Sequence, residues 1–275
     1  DKDFLVFDGQ RWTFEKFFAE ADALAAALQN RYGIQPGDRV AIAMRNCPDW
    51  LLVFAAAANV GAIVVPINSW GSAADLQYTL GDSGAKLLAA DRQRAVLAAD
   101  MCAHDGIPLL VSDVDGPLAE SQAPRVDMAT INDVVAANPG AEYTRAQPDP
   151  ADPAVLLYTS GSTGHPKGVV YRHVAIGQAL MQMMFVGYLT IELDGPVELR
   201  GGATAEASLV TVPLFHATGL FSGFLLPCMI GQKVALMRKW DTPTALQIIS
   251  NEKITTLVTV PAILKDLLSH PELEN

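Results

Sequence analysis

The sequence predicts a layered α/β protein in which mostly parallel sheets are flanked by helices. Half of its 275 residues are hydrophobic and only 18% are charged, so the chain can bury a large core. Short apolar runs rich in β-branched residues alternate with segments whose apolar residues recur every three or four positions. Alternation of strands and helices on this scale is typical of parallel sheets covered by helices on both faces.

The predicted elements follow one another from the first residues onward. Phe4–Phe7 and the Asp8-Gly9 turn predict a hairpin, and Thr13 can cap a helix that ends near Gly33. Further strands are predicted at Arg39–Met44, Ile63–Val65, Lys86–Ala90, Pro108–Val111, Ala154–Tyr158, Ser208–Val212, Lys233–Met237 and Thr255–Val260. Predicted helices begin near Trp50 and Val174 and cover Ala73–Leu80, Arg92–Ala103 and Ala262–Leu268.

A stiff polar segment at residues 148–153 predicts an internal boundary. Its sequence, Pro-Asp-Pro-Ala-Asp-Pro, is typical of a connector. We therefore divide the chain into residues 1–147, the connector 148–153, and residues 154–275, which hold a further strand–helix unit and continuing α/β structure.

Composition excludes several classes of protein. The net charge of −11, from 19 basic against 30 acidic residues, argues against a nucleic-acid partner, because binding to phosphates needs clustered Lys and Arg. The three cysteines are too far apart for a zinc knuckle or a disulfide framework, so we expect a cytoplasmic protein. Glycines, prolines and polar residues interrupt the uncharged stretches 50–68, 174–191 and 207–232, which therefore predict buried helices and strands rather than membrane spans.

The segment after the strand at Ala154–Tyr158 carries the strongest functional pattern. Residues 159–168, Thr-Ser-Gly-Ser-Thr-Gly-His-Pro-Lys-Gly, combine three glycines, four hydroxyl side chains and a lysine. Glycines let backbone N–H groups converge on an anion, and Lys167 adds a full charge, so the segment predicts a phosphate-binding loop. No Asp or Glu occurs from Pro153 to Ile191, which makes this window locally cationic. A flexible surface loop with an incidental lysine is the alternative.

Residues Tyr158 to Gly168 resemble the signature loop of the adenylate-forming superfamily, which includes acyl-CoA synthetases, nonribosomal adenylation domains and luciferases. The segments 37–42, 46–50 and 61–68 resemble the opening block of that family. Residues 212–220, Val-Pro-Leu-Phe-His-Ala-Thr-Gly-Leu, resemble a segment common in acyl-CoA synthetases. The resemblance spans nearly the whole chain and implies an incomplete acyl-CoA synthetase-like N-terminal domain.

The resemblance implies an ATP-dependent carboxylate–CoA ligase acting on a fatty or other apolar acid. A small-molecule carboxylic acid would attack the α-phosphate of ATP bound with Mg²⁺, and the thiol of coenzyme A would then displace AMP. Implied nucleotide-binding residues are those that wrap the β- and γ-phosphates, Thr159, Ser160, Gly161, Ser162, Thr163 and Gly164, and the neutralising Lys167.

The resemblance also assigns roles to three histidines and leaves the metal without ligands in this chain. His216 falls where the family places a residue beside the acyl carboxylate; a hydrogen-bonded core histidine is the alternative. His173 is expected to help seat the loop, and His165 to face solvent. The methionines at 181, 183 and 184, together with Leu180 and Phe185, follow a pattern more typical of core packing than of a ligand wall.

Several family features do not occur before Asn275, namely a magnesium-binding Glu, a ribose-binding Asp and a mobile C-terminal domain with a catalytic Lys. We therefore expect a fragment that is inactive alone and whose partner is the missing C-terminal domain of the same chain. Two other functions stay open: a non-catalytic nucleotide- or acyl-binding protein on the same scaffold, and an adenylation domain that charges a carrier protein. Residues 192–207 predict a solvated hairpin or loop, with a substrate-entry flap as the alternative.

Overall fold

A computed structural model describes residues 2–114, 116, 127–159, 165–194 and 207–274 of the chain. The strands are β1 (Asp3–Phe7), β2 (Gln10–Thr13), β3 (Arg39–Ala43), β4 (Ile63–Pro66), β5 (Leu87–Asp91), β6 (Leu109–Ser112), β7 (Met128–Thr130), β8 (Pro153–Thr159), β9 (Lys167–Arg172), β10 (Ala207–Val210), β11 (Lys233–Leu236) and β12 (Thr256–Val258).

The helices lie mostly where the three- and four-residue periodicity predicts them. They are α1 (Phe14–Asn30), α2 (Pro48–Asn59), α3 (Ala73–Ser83), α4 (Arg92–Asp105), α5 (Ile131–Ala137), α6 (His173–Asp194), α7 (Leu226–Ile230), α8 (Thr242–Glu252) and α9 (Pro261–Leu268). A π-helical segment at Thr218–Leu225 precedes α7, and a 3₁₀ turn at Pro271–Glu274 follows α9.

The chain divides into two compact units, residues 16–174 and residues 1–15 with 175–275. We call the first the seven-stranded unit and the second the five-stranded unit, after the sheet that each contains. The Pro/Asp segment 148–153 lies within the seven-stranded unit, where it forms a tight turn that leads into β8. In this turn the backbone N–H of Asp149 donates to the carboxylate of Asp152, and the backbone N–H of Asp152 donates to the carbonyl oxygen of Asp149. The domain boundary assigned to this segment stays a prediction.

The sheet of the seven-stranded unit has the order β7-β6-β5-β3-β4-β8-β9. All neighbouring strands run parallel except the edge pair β8–β9, which is antiparallel. The predicted fold class, mostly parallel sheets flanked by helices, is thus confirmed. The sequence prediction misses β7 and α5, which are short, and β9, whose first residues belong to the loop motif.

The core of this unit explains the uncharged stretch at residues 50–68. Helix α2 is buried along most of its length, with Trp50 fully inaccessible, and it leads into β4, which is buried from Val64 to Pro66. Strand β5 is buried at every residue. Within the described ranges of the chain, none of the helices has both the length and the apolar character needed to cross a membrane.

Helix α3 has well-defined ends, which matters for the site described below. At its start Ser72 and Asp75 form a reciprocal capping box, in which each side chain accepts a hydrogen bond from the other residue's backbone N–H. At its end Gly84 adopts a left-handed conformation with φ of 60°, a conformation that glycine adopts at low cost. Leu76 and Leu80 bury one face of the helix against the sheet.

The sheet of the five-stranded unit has the order β12-β10-β11-β1-β2. Strands β1, β11, β10 and β12 pair in parallel, and β2 returns antiparallel to β1 through the predicted Asp8-Gly9 turn. Both turn residues have positive φ, 46° and 76°, as a tight hairpin of this kind requires. Residues 192–194 belong to α6, and 195–206, most of the segment predicted as a hairpin or flap, lie outside the described residues.

Candidate functional site

The loop motif connects the two antiparallel strands at the edge of the seven-stranded sheet. Strands β8 and β9 pair so that Thr159 lies opposite Lys167 and Tyr158 lies opposite Gly168. The hydroxyl of Thr159 donates a long hydrogen bond, 3.4 Å, to the carbonyl oxygen of Lys167. Of the predicted phosphate-binding residues, Ser160, Gly161, Ser162, Thr163 and Gly164 lie outside the described residues. The hairpin therefore brings the first and last members of the predicted set together.

Lys167 has an exposed side chain. Among the ion pairs formed by the described residues, none involves its ammonium group. A lysine without a carboxylate partner keeps its charge available for an anionic ligand. The geometry is therefore compatible with the predicted neutralising role, which stays a prediction.

The glycine after Lys167 leaves room for two side chains of the opposite strand. A Cβ atom at Gly168 would lie 2.9 Å from Cδ1 of Leu156 and 3.3 Å from Cζ of Tyr158. Because Gly168 has no side chain, the ring of Tyr158 can lie across it. The hydroxyl of Tyr158 then donates a hydrogen bond of 2.6 Å to Oδ2 of Asp82, in α3. Burial and this hydrogen bond raise the pKa of Tyr158 above its usual value, which keeps the hydroxyl protonated.

The other end of the loop also contacts α3. The imidazole of His165 stacks on the ring of Tyr78, with centroids 4.6 Å apart and planes inclined by 17°. His165 is solvent-exposed, as expected from its place in the motif, but one of its faces is covered by this contact.

The fold adds acidic groups to a window that contains none in sequence. Asp82 reaches Tyr158, as described above, and Asp75 lies near His165. Hydrogen bonds from Ser72, with a smaller contribution from the charge of His165, lower the pKa of Asp75. The absence of Asp and Glu from Pro153 to Ile191 therefore describes the sequence and not the full electrostatic environment, which α3 also shapes.

His173 begins α6, and its backbone N–H donates to the carbonyl oxygen of Asp152 at 3.1 Å. The next residue, Val174, donates in the same way to Pro150 at 2.8 Å. These two bonds tie the residues that follow β9 to the turn that precedes β8. They support the expected structural role of His173, although they use its backbone and not its imidazole.

His216 lies in the five-stranded unit, in the turn between β10 and the π-helical segment. Its backbone N–H donates to Pro213, and its carbonyl oxygen accepts from Leu220, so the turn is closed on both sides. A Cβ at Gly219 would collide with the carbonyl oxygen of Pro213, so the Pro-Leu-Phe-His-x-x-Gly spacing has a steric cause. The imidazole packs beside Phe215, and desolvation lowers the pKa of His216 below its usual value. The imidazole is therefore mostly neutral at neutral pH.

The Met-rich part of α6 departs from the core-packing interpretation. Met181 and Phe185 are 61% and 65% exposed, and Leu180 is the buried residue of this stretch. Met183 is half-buried and its sulfur accepts a hydrogen bond of 3.8 Å from Ser222, in the π-helical segment of the same unit. Core packing is thus wrong for Met181 and Phe185 within the described structure.

Sequence reasoning does not identify Tyr78 or Asp82 as residues near the loop. Their spacing of four places them on one face of α3, but nothing in the sequence says which strand end that face meets. Among the residues that the structure describes, no group of three or more His, Cys, Asp and Glu side chains is arranged to hold a metal ion.

The fold defines the chain first as an α/β protein built on two mostly parallel sheets. A comparison with protein-family models is more specific, because the family described as AMP-binding enzyme matches residues 1–275. The chain therefore belongs to the AMP-binding enzyme family.

Two curated relatives illustrate the similarity. The 4-coumarate–CoA ligase-like 4 of Oryza sativa subsp. japonica is 30% identical over 267 residues, which cover 96% of this chain and 46% of that protein. The long-chain-fatty-acid–CoA ligase FadD13 of Mycobacterium tuberculosis is 30% identical over 258 residues, 93% of this chain and 46% of that protein. The chain spans about half the length of the curated relatives it matches.

Solved structures agree on the fold. The N-terminal domain of FACL13 from Mycobacterium tuberculosis, solved with an inhibitor bound, superposes with a TM-score of 0.79 at 25% identity, covering 99% of this chain and 62% of that one. ATP-bound MatB from Rhodopseudomonas palustris gives a TM-score of 0.78 at 21% identity, covering 98% of this chain and 48% of that one. The resemblance to acyl-CoA synthetase N-terminal domains is confirmed.

Proposed function

We propose that the chain is the N-terminal part of an ATP-dependent carboxylate–CoA ligase that acts on a fatty or other apolar acid. Membership of the AMP-binding enzyme family supports adenylate formation, and the matched relatives are named as CoA ligases for coumarate and fatty acids. The observation that carries the proposal is the β8–β9 hairpin, which places Thr159 opposite Lys167 at the two ends of a Gly/Ser/Thr segment. Backbone N–H groups, hydroxyls and a lysine in such a segment suit a polyphosphate.

In this proposal residues 159–164 bind the β- and γ-phosphates of ATP, and Lys167 neutralises their charge. The long bond from Thr159 to Lys167 is weak, so its hydroxyl can turn to a phosphate oxygen at little cost. Fixed positive charge at the phosphates favours departure of pyrophosphate, because negative charge accumulates there as the carboxylate displaces it from the α-phosphate. The thiol of coenzyme A then replaces AMP to form the thioester.

Magnesium enters the proposal as the counter-ion of the ATP phosphates. Mg²⁺ is commonly held by phosphate oxygens and one or two carboxylates. The described residues offer no cluster of potential ligands, so we assign no metal ligand to this chain.

His216 is proposed to lie beside the carboxylate of the acid. Because desolvation lowers the pKa of His216, its ring is mostly neutral at neutral pH. A neutral imidazole can donate one hydrogen bond that orients the carboxylate. It does so without the full positive charge that would weaken the attacking oxygen as a nucleophile.

The complete reaction is proposed to need a C-terminal domain. This chain matches about half of each relative, and the unmatched half of a relative is long enough to hold such a domain. Residues 1–275 alone are expected to be inactive, and the location is expected to be cytoplasmic.

The proposal is tested by ATP–pyrophosphate exchange with the full-length protein across fatty, aryl and amino acids, followed by detection of the CoA thioester. We expect exchange with fatty or aryl acids, and loss of exchange in Lys167→Ala but not in Lys265→Ala, which removes an exposed lysine from α9. Exchange with amino acids alone would refute the substrate class. An acyl adenylate that reacts with a carrier protein but not with coenzyme A would favour the carrier-charging alternative, and the absence of any exchange would favour a non-catalytic binding protein.

A further inference from the structure

Helix α3 contacts the hairpin at both ends of the segment proposed to bind ATP. Tyr78 and Asp82 are four residues apart and therefore lie on the same face of the helix. Asp82 accepts a hydrogen bond from Tyr158, the residue before Thr159, and Tyr78 stacks on His165, two residues before Lys167. One face of one helix thus holds the residues that enter and leave the loop.

The two contacts differ in kind and complement each other. The bond from Tyr158 to Asp82 is short, at 2.6 Å, and joins a hydroxyl to a carboxylate, which makes it one of the stronger hydrogen-bond types. The stack of His165 on Tyr78 is nearly parallel and limits the position of the imidazole in the plane of the ring. The hydrogen bond fixes the position of the Tyr158 hydroxyl, and the stack fixes the plane of the His165 imidazole.

Helix α3 is a firm support for both contacts. The capping box of Ser72 and Asp75 and the left-handed Gly84 fix its ends, and Leu76 and Leu80 bury its inner face. A helix with capped ends and a buried face is rigid, so α3 holds Tyr78 and Asp82 in fixed positions.

We propose that Tyr78 and Asp82 are positioning residues that hold both ends of the ATP loop before the nucleotide arrives. This inference rests on the proposed function for its consequence, which is tighter ATP binding. Because Tyr158 and His165 are already held, fewer residues have to be ordered when the phosphates bind, so the ordering cost of binding falls. Neither residue is required to touch the nucleotide.

The test uses the full-length protein with Tyr78→Ala and Asp82→Ala, each beside a conservative partner. Tyr78→Phe keeps the ring, and Asp82→Asn keeps an acceptor for Tyr158 but removes the charge. Gln77→Ala, an exposed position on the same helix, is the matched control. In ATP–pyrophosphate exchange we expect both alanine variants to raise KM for ATP about three- to tenfold, as loss of one aromatic pair or one hydrogen bond implies.

A structural role alone predicts a different pattern. General destabilisation lowers the active fraction and hence kcat, whereas loss of positioning raises KM for ATP and leaves KM for the acid unchanged. Tyr78→Phe and Gln77→Ala should have the same KM for ATP as the parent protein. Asp82→Asn should have a KM for ATP near that of the parent, because its amide oxygen still accepts a hydrogen bond from Tyr158. A fall in KM for ATP in both Asp82 variants would show that Asp82 acts through repulsion of the phosphates and would overturn its positioning role.

Hydrogen–deuterium exchange separates this inference from the proposed function. The backbone amides of residues 158–159 and 165–168 should exchange faster in both alanine variants and not in Gln77→Ala. Faster exchange in the two alanine variants, together with no ATP-dependent activity in the parent protein, would refute the ATP site but support the anchoring. Unchanged exchange together with unchanged KM would overturn the anchoring and leave the ATP site standing.

Discussion

Two segments of the seven-stranded unit are attached to helices by their side chains, and they are attached in different ways. The first is the strap, residues 142–146, which runs between α5 and β8. Oδ1 of Asp22, in α1, accepts hydrogen bonds from Tyr143 at 2.6 Å, Arg145 at 2.7 Å and Asn59 at 3.0 Å. Gln29 exchanges two bonds with the backbone of Thr144, and Asn30 donates to the carbonyl oxygen of Glu142. The second segment is the loop hairpin, held to α3 by the Tyr158–Asp82 bond and the His165–Tyr78 stack.

The strap is hydrogen-bonded to helices along its length, whereas the loop hairpin contacts α3 only at the two ends of the loop motif. Bonds along the strap satisfy its backbone and leave little for a ligand. In the hairpin, the described residues give the hydroxyl of Thr159 one weak partner and the ammonium group of Lys167 no ion-pair partner. Groups that serve a ligand must be free to change partner, and such segments belong to the less stable part of a fold. The strap therefore contributes stability, whereas the hairpin keeps free the side chains to which the proposed function assigns phosphate binding.

The largest effect on stability is expected from Asp22→Ala, which removes the acceptor shared by two donors of the strap, Tyr143 and Arg145, and by Asn59 of α2. The free energy of unfolding should fall by about 3 kcal/mol, because the part-buried bonds from Tyr143 and Asn59 to a charged acceptor contribute about 1.5 kcal/mol each. The pair with Arg145 is exposed and screened by solvent, so it adds little. KM for ATP should not change at temperatures where the protein stays folded. Denaturant unfolding and ATP–pyrophosphate exchange measure the two quantities. An increase in KM for ATP as large as that of Tyr78→Ala would break the distinction between strap and hairpin.

A second carboxyl group, which has one bonded and one unbonded oxygen, gives a contrast with Asp22. Asp49, at the start of α2, is 5% exposed and its Oδ2 has no hydrogen-bond partner within the described structure. Burial raises the pKa of Asp49 to about 6, above its unfolded value near 3.8, against a smaller opposing effect of a bond from Ser112. The folded state therefore binds the proton more tightly, and stability is lost as pH rises from about 4 to about 6.

Replacing Asp49 by Asn should remove this loss. The difference in unfolding free energy between Asp49→Asn and the parent should shift by about 2 kcal/mol in favour of the variant between about pH 4 and about pH 8. Thermal or denaturant unfolding at both pH values measures it. Parallel behaviour of the two proteins would show that Asp49 is solvated or partnered in solution.

The smallest effect is expected from Gly168→Ala in the hairpin. The new methyl group meets the flexible end of Leu156 and the ring of Tyr158, so both side chains must move by a few tenths of an ångström. We expect a loss of about 1 kcal/mol in stability and an increase of about two- to threefold in KM for ATP, because the displaced ring weakens the bond to Asp82. Combining Gly168→Ala with Tyr158→Phe should add little to either single change. Full additivity would show that Gly168 acts through something other than Tyr158.

How far the sequence predicts this molecule depends on the range of the interactions. Strands β3, β4, β5 and β6 and helices α2, α3 and α4 were predictable because their apolar runs and periodicity are local features of the sequence. Strand β9 was not, since its pairing with β8 is formed by residues that also read as a glycine-rich loop. The exposure of Met181 was not predictable either, because periodicity identifies an apolar face without saying what covers it.

The candidate site divides in the same way. Thr159, Lys167 and His216 were predicted from motifs that are contiguous in sequence. Tyr78 and Asp82 reach the loop only through the packing of α3 on the sheet, so no local pattern marks them. The sequence from Pro153 to Ile191 contains no acidic residue, but the fold brings Asp75 and Asp82 of α3 close to it. The electrostatic environment of the loop is therefore less cationic than the sequence alone predicts.

The central claim, that the β8–β9 hairpin binds the phosphates of ATP, is tested most directly by titrating Mg·ATP into the full-length protein and its Lys167→Ala variant. We expect affinity to fall at least about tenfold, as loss of one charge-assisted phosphate contact implies. The melting temperatures should agree, because Lys167 is exposed and forms no ion pair with the described residues. Equal affinity of the two proteins for Mg·ATP, at equal stability, would contradict the claim.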